Sequence, residues 1–534
     1  MTKAQILTVI SISGWLHTRL ILNAYNSTVG AWIHAGIITI MVNKSIVEKL
    51  SRRIFLKCTA CFAADVALTA GLGAAAKGSS LPPNLVFILA DDLGWADLGC
   101  YGSDPSINSG QALHETPNID KLAGQGMRFT DAYAAAPVCT PTRASIMTGK
   151  YPARLHMTIW YEASANPPRN RMLIPPVARG NMPHEQVTIA EVLKDAGYFT
   201  AHVGKWHLGD AAHYPQTQGF DVNIGGTFWG APSTYFYPYK GSSRFGGEFR
   251  YVPDLEFGAE GEYLTDRLTD EALRIMDKVK NKPFFLNLCY HTVHTPIEGK
   301  PELVEYYRKK VRPGMHHQNY EYAAMVHSLD ENVGRVLDKI DELGIADHTV
   351  VIFFSDNGGY INMFKEKVVT SNYPLRCGKG SLYEGGIREP LIIRWPGIIK
   401  AGSVCSEPVS SIDFYPTMLS MTSQAGDSKH NADMDGISLV PLLKNPTARL
   451  ERQALYWHYP HYYPTTTPVS SIRQGDWKLL EYLEDNQIEL YNLSNDIGEQ
   501  KNLAETMPEK AWELRNNLNA WRKAVNAQMP AKSI

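Results

Sequence analysis

The 534-residue chain carries 52 basic and 54 acidic side chains, a formal net charge of -2, and 44% hydrophobic residues, an ordinary globular composition. That balance excludes a nucleic-acid binder or a polybasic membrane-surface protein working through bulk charge, and it leaves any basic site local. Seven cysteines are too few and too scattered for a disulfide scaffold, and the one Cys-x-x-Cys-type pair, Cys58 and Cys61, lies in an apparent leader, so zinc-ribbon and redox-motif readings fall away.

In chain order, the first informative segment is Ser-Arg-Arg-Ile-Phe-Leu-Lys at 51–57. It is followed by an Ala- and Leu-rich stretch, broken only by Asp65, that runs to Ala74-Ala75-Ala76. Paired arginines, an apolar region and a small-residue cleavage site resemble a twin-arginine export signal, here residues 41–76 if Met41 is the start. Residues 1–40 then read as an upstream-start artefact. The rival for that region is a membrane span from Leu22 to Val42, which has no Asp, Glu, Lys or Arg but contains Asn23, Asn26, Ser27 and His34. Carriage by the twin-arginine export machinery puts the mature chain, from about Lys77, in the periplasm or outside a bacterial cell.

From Asn84 onward, short apolar runs alternate with helical patterns. Leu85–Ala90 is apolar at every position, as expected of a strand buried on both faces of a parallel sheet. Thr188 and Glu191 form a capping box before a helix through Lys194, Gly197 ends it, and Tyr198–Val203 returns as a strand. Helix 263–280, strand 284–290, helix 320–343 and strand 349–355 continue the alternation, which predicts an α/β sandwich around a mostly parallel sheet. Residues 220–253, rich in Gly, Tyr, Phe and Pro without a period, read as a long surface excursion of the kind that lines binding sites. Beyond about Lys444, strand-like pieces at 470–473, 477–482 and 488–493 precede a helix from Pro508 to about Ala527. These predict a smaller α+β domain with an antiparallel sheet over 446–534, packed on a larger one over 82–445.

Two acidic pairs end predicted strands: Asp91-Asp92 after 85–90, and Asp356-Asn357 after 349–355. Ligands in open α/β sheets sit beyond the carboxyl ends of strands, and three carboxylates with one amide suit a hard divalent cation, calcium more than zinc. Taken alone, such pairs are as readily caps and turns. Cys139-Thr-Pro-Thr-Arg143 opens another helix, with Pro141 in its first turn and Thr148-Gly149 closing the motif. A helix start offers free N–H groups to an anion.

Cys-x-Pro-x-Arg followed by Thr-Gly is the signature of type I sulfatases, in which that cysteine is oxidised to formylglycine. The second signature of the family stands at Gly197-Tyr-Phe-Thr200-Ala-His-Val-Gly204-Lys205-Trp206-His207. Further matches are Asn84–Gly94, Pro283-Phe-Phe-Leu with His294-Thr-Pro, Ser355-Asp-Asn-Gly-Gly359, and Gly378-Lys379-Gly-Ser-Leu-Tyr-Glu384-Gly-Gly-Ile-Arg388. The chain thus resembles bacterial carbohydrate sulfatases and arylsulfatases from residue 84 into the C-terminal domain. The resemblance implies an alkaline-phosphatase-like sandwich with its catalytic domain at 82–445, and hydrolysis of sulfate esters. It implies calcium held by Asp91, Asp92, Cys139, Asp356 and Asn357, and a formylglycine-generating enzyme as maturation partner. By the same resemblance Arg143 orients the modified residue, Lys205 and Lys379 grip sulfate oxygens, His207 assists the formylglycine hydroxyl, and His294 protonates the leaving alcohol.

The substrate is expected to be a sulfated sugar or aryl sulfate. Trp229, Tyr235, Tyr237 and Tyr239 in the excursion and the run from Tyr456 to Tyr463, with His458 and His461, could stack on and read a sugar, or equally pack the two domains together. Two alternatives share these motifs: a phosphonate or phosphate ester hydrolase of the same superfamily, and an inactive calcium-dependent glycan-binding protein.

Overall fold

The computed structural model describes residues 82–102, 113–242 and 245–533, together with the backbone of four short strands in the first 80 residues: Thr8–Ser11, Ile21–Ala24, Ser27–His34 and Ile37–Ile40. Those four pair antiparallel in the order first, fourth, third, second. The expected export signal at 41–76 lies outside the described residues. No helix among the described residues is long and apolar enough to cross a membrane.

The larger unit is built on an eight-stranded sheet. Its strands are β1 Asn84–Ala90, β2 Met127–Phe129, β3 Phe199–Gly204, β4 Val222–Ile224, β5 Phe284–Cys289, β6 Thr349–Ser355, β7 Leu391–Arg394 and β8 Ser403–Cys405. Their order across the sheet is β4-β3-β5-β1-β6-β7-β2-β8. The first five run parallel; β7 is antiparallel to both β6 and β2, and β8 is parallel to β2. The expected mostly parallel sheet is therefore present, with a mixed edge that the helix–strand alternation did not announce, because β2 and β8 are three residues long and too short to carry a period.

The central strand explains itself. Every residue of β1 is buried, and successive side chains point to opposite faces. Leu85, Phe87 and Leu89 pack with helices α1 Cys139–Thr148, α2 Ile189–Asp195 and α5 Phe414–Thr422, while Val86, Ile88 and Ala90 pack with α3 Leu264–Val279 and α4 Tyr320–Glu342. Each large apolar side chain of this kind contributes about 1.5–3 kcal/mol through burial. The capping box starting α2 is formed: the Thr188 hydroxyl accepts from Glu191 N–H at 3.2 Å, and the Glu191 carboxylate accepts from Thr188 N–H at 2.7 Å.

Helix α1 is buried at all ten positions although half of its residues are polar. Its hydroxyls bond backward to main-chain carbonyls: Thr142 to Ala136 at 3.1 Å, Ser145 to Thr142 at 2.7 Å and Thr148 to Ala144 at 2.8 Å. A polar helix can sit in a core when its own backbone satisfies it.

Beyond residue 454, strands β9 Leu455–Tyr459, β10 Val469–Gln474, β11 Trp477–Tyr482 and β12 Ile488–Asn492 form an antiparallel sheet in chain order. Its Ile472, Leu479 and Leu490 face Leu514 and Leu518 of α6 Pro508–Ala524. Its other face, with Trp457, Val469 and Leu480, meets Tyr133, Leu382 and Ile387 of the larger sheet's loops. A buried charge cluster pins this contact: Lys478 reaches Glu384 at 2.7 Å and Glu499 at 2.9 Å, all three fully buried. Lys478→Met is expected to leave two buried carboxylates facing each other and to lower the unfolding free energy by about 3–5 kcal/mol, read from urea midpoints at constant slope.

Candidate active site

The two acidic pairs converge because β1 and β6 are parallel neighbours in register, Ala90 opposite Ser355. The residues that follow, Asp91, Asp92, Asp356 and Asn357, leave the sheet side by side and are essentially inaccessible. Asp92 turns through a left-handed conformation at φ 61°, a conformation that costs of order 1 kcal/mol and is held by its surroundings. Its N–H meets an Asp356 carboxylate oxygen at 3.3 Å, and the Asn357 amide donates to Asp92 at 2.8 Å.

Each carboxylate has its own cation. Lys205, the residue after β3, stands 2.6 Å from Asp91; Lys379 approaches the Asp92 oxygens at 2.7 and 2.9 Å; and Arg143, one turn into α1, grips Asp356 through Nε at 2.9 Å and Nη2 at 2.7 Å. Arg143 also donates to the Lys205 carbonyl at 2.8 Å, tying α1 to the end of β3.

Burial, opposed by Lys205 and reinforced by Asp356 and Asp92, pushes the Asp91 carboxyl up to about 8. Asp92 goes the other way: burial is outweighed by Lys379, His294 and Lys205, which bring it to about 2. One oxygen of Asp91 and the side-chain oxygen of Asn357 are buried with no hydrogen-bond partner. Orphaned hard oxygens beside crowded carboxylates are the donor set a calcium-like ion takes, so the residues fit such an ion. Asp91 and Asp92 also share a cluster with His294, their ligand atoms lying within 4.8 Å of one another; the imidazole is a softer donor than the oxygens of Asp356 and Asn357.

Cys139 is the first residue of α1, buried, with Sγ 3.3 Å from His207 Nδ1. Burial raises its thiol pKa, against the pull of Lys205 and Lys379. Burial and the same cations hold His207 well below the ordinary imidazole range, which favours its neutral form. His207 has φ 60° and is fixed from three sides: its N–H donates to Thr227 at 2.9 Å, its carbonyl accepts from the Thr140 hydroxyl at 3.0 Å, and Gly230 lies against its ring. His294 follows β5, partly exposed, with Nε2 3.7 Å from Asp92. Burial and Lys379 lower its pKa, against Asp92.

The structure thus brings together Asp91, Asp92, Cys139, Arg143, Lys205, His207, His294, Asp356, Asn357 and Lys379. It does not bring His458 and His461, which sequence reading placed among sugar-binding residues. His458 spends both ring nitrogens, on the Ser470 hydroxyl and on the Gln528 carbonyl at 2.8 Å each, and His461 is buried against Thr158 at 2.8 Å. Packing claimed both: the face of His458 is set by the register of β9, and His461, in the bend after it, is buried by contacts with distant residues, neither of which aromatic composition reveals. Tyr235 and Tyr239 of the excursion are likewise fully buried. The Tyr235 hydroxyl supports the His294 loop, 2.5 Å from the His291 carbonyl and 2.9 Å from that of His294.

Residues missed by the sequence reading include Thr140 and Gly230, and Tyr463 was read there only as the end of an aromatic run. The ring of Tyr463 lies where a Cβ on Gly380 would sit.

Residues 83–424 match the sulfatase family, and 377–524 match the C-terminal region of N-sulphoglucosamine sulphohydrolase. The chain belongs to the sulfatase family. It is 33% identical to a sulfatase of Formosa agariphila over 84% of this chain and 90% of that protein. It is 34% identical to human arylsulfatase A over 82% and 85% of the two. Among solved structures, Ps i-CgsB in complex with k-i-k-neocarrahexaose superposes with a TM-score of 0.67 at 31% identity, covering 82% of this chain and 92% of that one. The protein is accordingly a sulfuric ester hydrolase.

A Cβ on Gly230 would lie 2.3 Å from the His207 ring. Gly230→Ala is therefore expected to displace His207 from Cys139 and lower kcat/KM toward a sulfate ester by about tenfold or more, with an unchanged circular dichroism spectrum.

Proposed function

We propose that this enzyme removes O-sulfate from a carbohydrate, using Cys139 matured to formylglycine and a calcium ion held by Asp91, Asp92, Asp356, Asn357 and residue 139. The observation that carries the reading is the meeting of Cys139 and His207, at 3.3 Å, with three carboxylate–cation pairs at adjoining strand ends. Support for a sugar comes from Ps i-CgsB, whose structure is a complex with k-i-k-neocarrahexaose.

Sulfur transfer needs a nucleophile that can afterwards shed its own sulfate. Hydrated formylglycine has two hydroxyls: one attacks sulfur as the S–O bond to the alcohol breaks, and removal of the second proton expels sulfate and restores the aldehyde. Neutral His207 is placed to take that second proton. His294, held neutral by burial and Lys379, would take up a proton as the anionic sulfate ester enters beside it, and would then give that proton to the departing alcohol oxygen. Lys205 and Lys379 face the sulfate oxygens as charge builds, while Arg143 keeps residue 139 and Asp356 in fixed relation. An ion held by Asp91, Asp92, Asp356 and Asn357 would supply Lewis-acid polarisation at this centre. The export expected from the arginine pair fits this scheme, since a chain folded before export can be matured at Cys139 in the cytoplasm, and its described cysteines are free.

Cys139→Ala, produced alongside a formylglycine-generating enzyme, is expected to lose all turnover of an aryl sulfate while melting within a few degrees of the parent. Mass spectrometry of the parent peptide across residue 139 should show the aldehyde. Retained turnover in the variant overturns the mechanism. Exhaustive chelation should abolish activity, and calcium should restore it better than zinc, because the donors are oxygens; full activity of the metal-free protein would remove the ion from the scheme.

A further inference from the structure

A cavity of about 330 Å³ opens directly beside the candidate nucleophile, with Thr140 and His207 at its inner end. That volume lies within the roughly 300–1,000 Å³ of small-ligand sites. Tyr161 and Phe228 give its walls aromatic faces. Tyr161 is 58% exposed, yet its ring is seated on Gly180, where a Cβ would come within 2.5 Å. An exposed aromatic backed by a glycine presents its free face to the cavity.

The charged lining is one-sided. Among the described residues that line the cavity there are two carboxylates, Glu162 and Asp210, and no lysine or arginine. Asp210 is already committed: it accepts from Asn181 at 3.0 Å, from Ala212 N–H at 3.1 Å and from His213 at 2.8 Å. Glu162 is not. Its half-buried carboxylate accepts from its own backbone N–H, no side chain among the described residues donates to it, and burial raises its pKa. Arg250, the cation that acts on it, is bound to Glu248 at 2.7 Å.

The carboxylate keeps oxygen lone pairs free to accept from a donor that enters the cavity. In a cavity of this shape the fitting donors are the hydroxyls of a sugar ring, two neighbouring ones matching the two oxygens of one carboxylate. The aromatic walls would cover the ring's C–H faces. A second sulfate or a uronic carboxylate at that ring would face Glu162 and Asp210 as a like charge.

We propose that this cavity seats the sulfate-bearing sugar, that Glu162 selects it by accepting its free hydroxyls, and that the substrate class is a singly sulfated, otherwise uncharged hexose. The proposal rests on the carbohydrate-sulfatase reading above. The test uses matured protein and compares kcat/KM for 4-nitrophenyl sulfate, monosulfated galactose and glucose, the same hexoses carrying two sulfates, and a sulfated hexuronic acid. The parent is expected to prefer monosulfated neutral hexose over the disulfated and uronic sugars by about tenfold or more. Glu162→Gln and Glu162→Ala should each lower the ratio of sugar to aryl sulfate turnover by about tenfold or more, with the loss in KM. Glu162→Gln should also narrow the gap between mono- and disulfated sugars. Aryl sulfate turnover by each variant reports that it is folded. An unchanged ratio in both variants, or a parent that prefers the disulfated or uronic sugar, overturns the proposal. Aryl sulfate turnover with no turnover of any sugar overturns the carbohydrate reading itself, and this proposal with it.

Discussion

Three buried carboxylates facing three buried cations form the constraint on which the rest of this molecule depends. Asp91 with Lys205, Asp92 with Lys379, and Asp356 with Arg143 lie at the carboxyl ends of strands or at the start of a helix that covers the sheet, except Lys379, which comes from a loop. Ion pairs this deep are poor sources of stability, since taking charges out of water offsets much of their attraction, the same cost that pushes the Asp91 carboxyl up to about 8. Their effect here is positional. Moving one partner leaves the other charged and unpaired in a core, so β1, β3, β6, α1 and the Lys379 loop are locked to a common centre.

The Lys379 loop shows how far the constraint reaches. It has no strand of its own, and its backbone is held by bonds from other segments: Gly380 N–H to the Pro137 carbonyl at 2.8 Å, and the Thr465 hydroxyl to the Lys379 carbonyl at 2.7 Å. A few residues on, Glu384 is clamped by Lys478 and accepted at its N–H by Glu499 at 2.7 Å. The antiparallel sheet therefore acts on the chemistry without lending a charge to it. It fixes the loop that carries Lys379 against Asp92.

The two ends of the site are built differently. Around Cys139, the groups hang mostly from strand ends and one helix, where backbone hydrogen bonding and packing leave little freedom. On the cavity side, Tyr161, Glu162, Asn181, Asp210 and Phe228 come from short helices and loops, which can change without disturbing the sheet. A fixed reaction centre with an adjustable neighbour is a physical route by which one chemistry meets many substrates.

Much of this was legible in the sequence for two separate reasons. Strand β1 could be read because burial on both faces leaves an unbroken apolar run, and α2 because its capping box is a local hydrogen-bond pattern. The ten clustered site residues were legible because each sits in a short motif whose residue types the chemistry demands, although the sequence did not show the pairing of particular carboxylates with particular cations. Only the tertiary structure decided the mixed edge of the sheet, the retirement of His458 and His461 into packing, and the exposure of Glu162 to a cavity. Which way a side chain faces, and what lies opposite it, depends on register and on contacts between residues far apart in the chain. For Glu162, whose neighbours in sequence have no special pattern, nothing local distinguishes a solvated carboxylate from one aimed into a cavity.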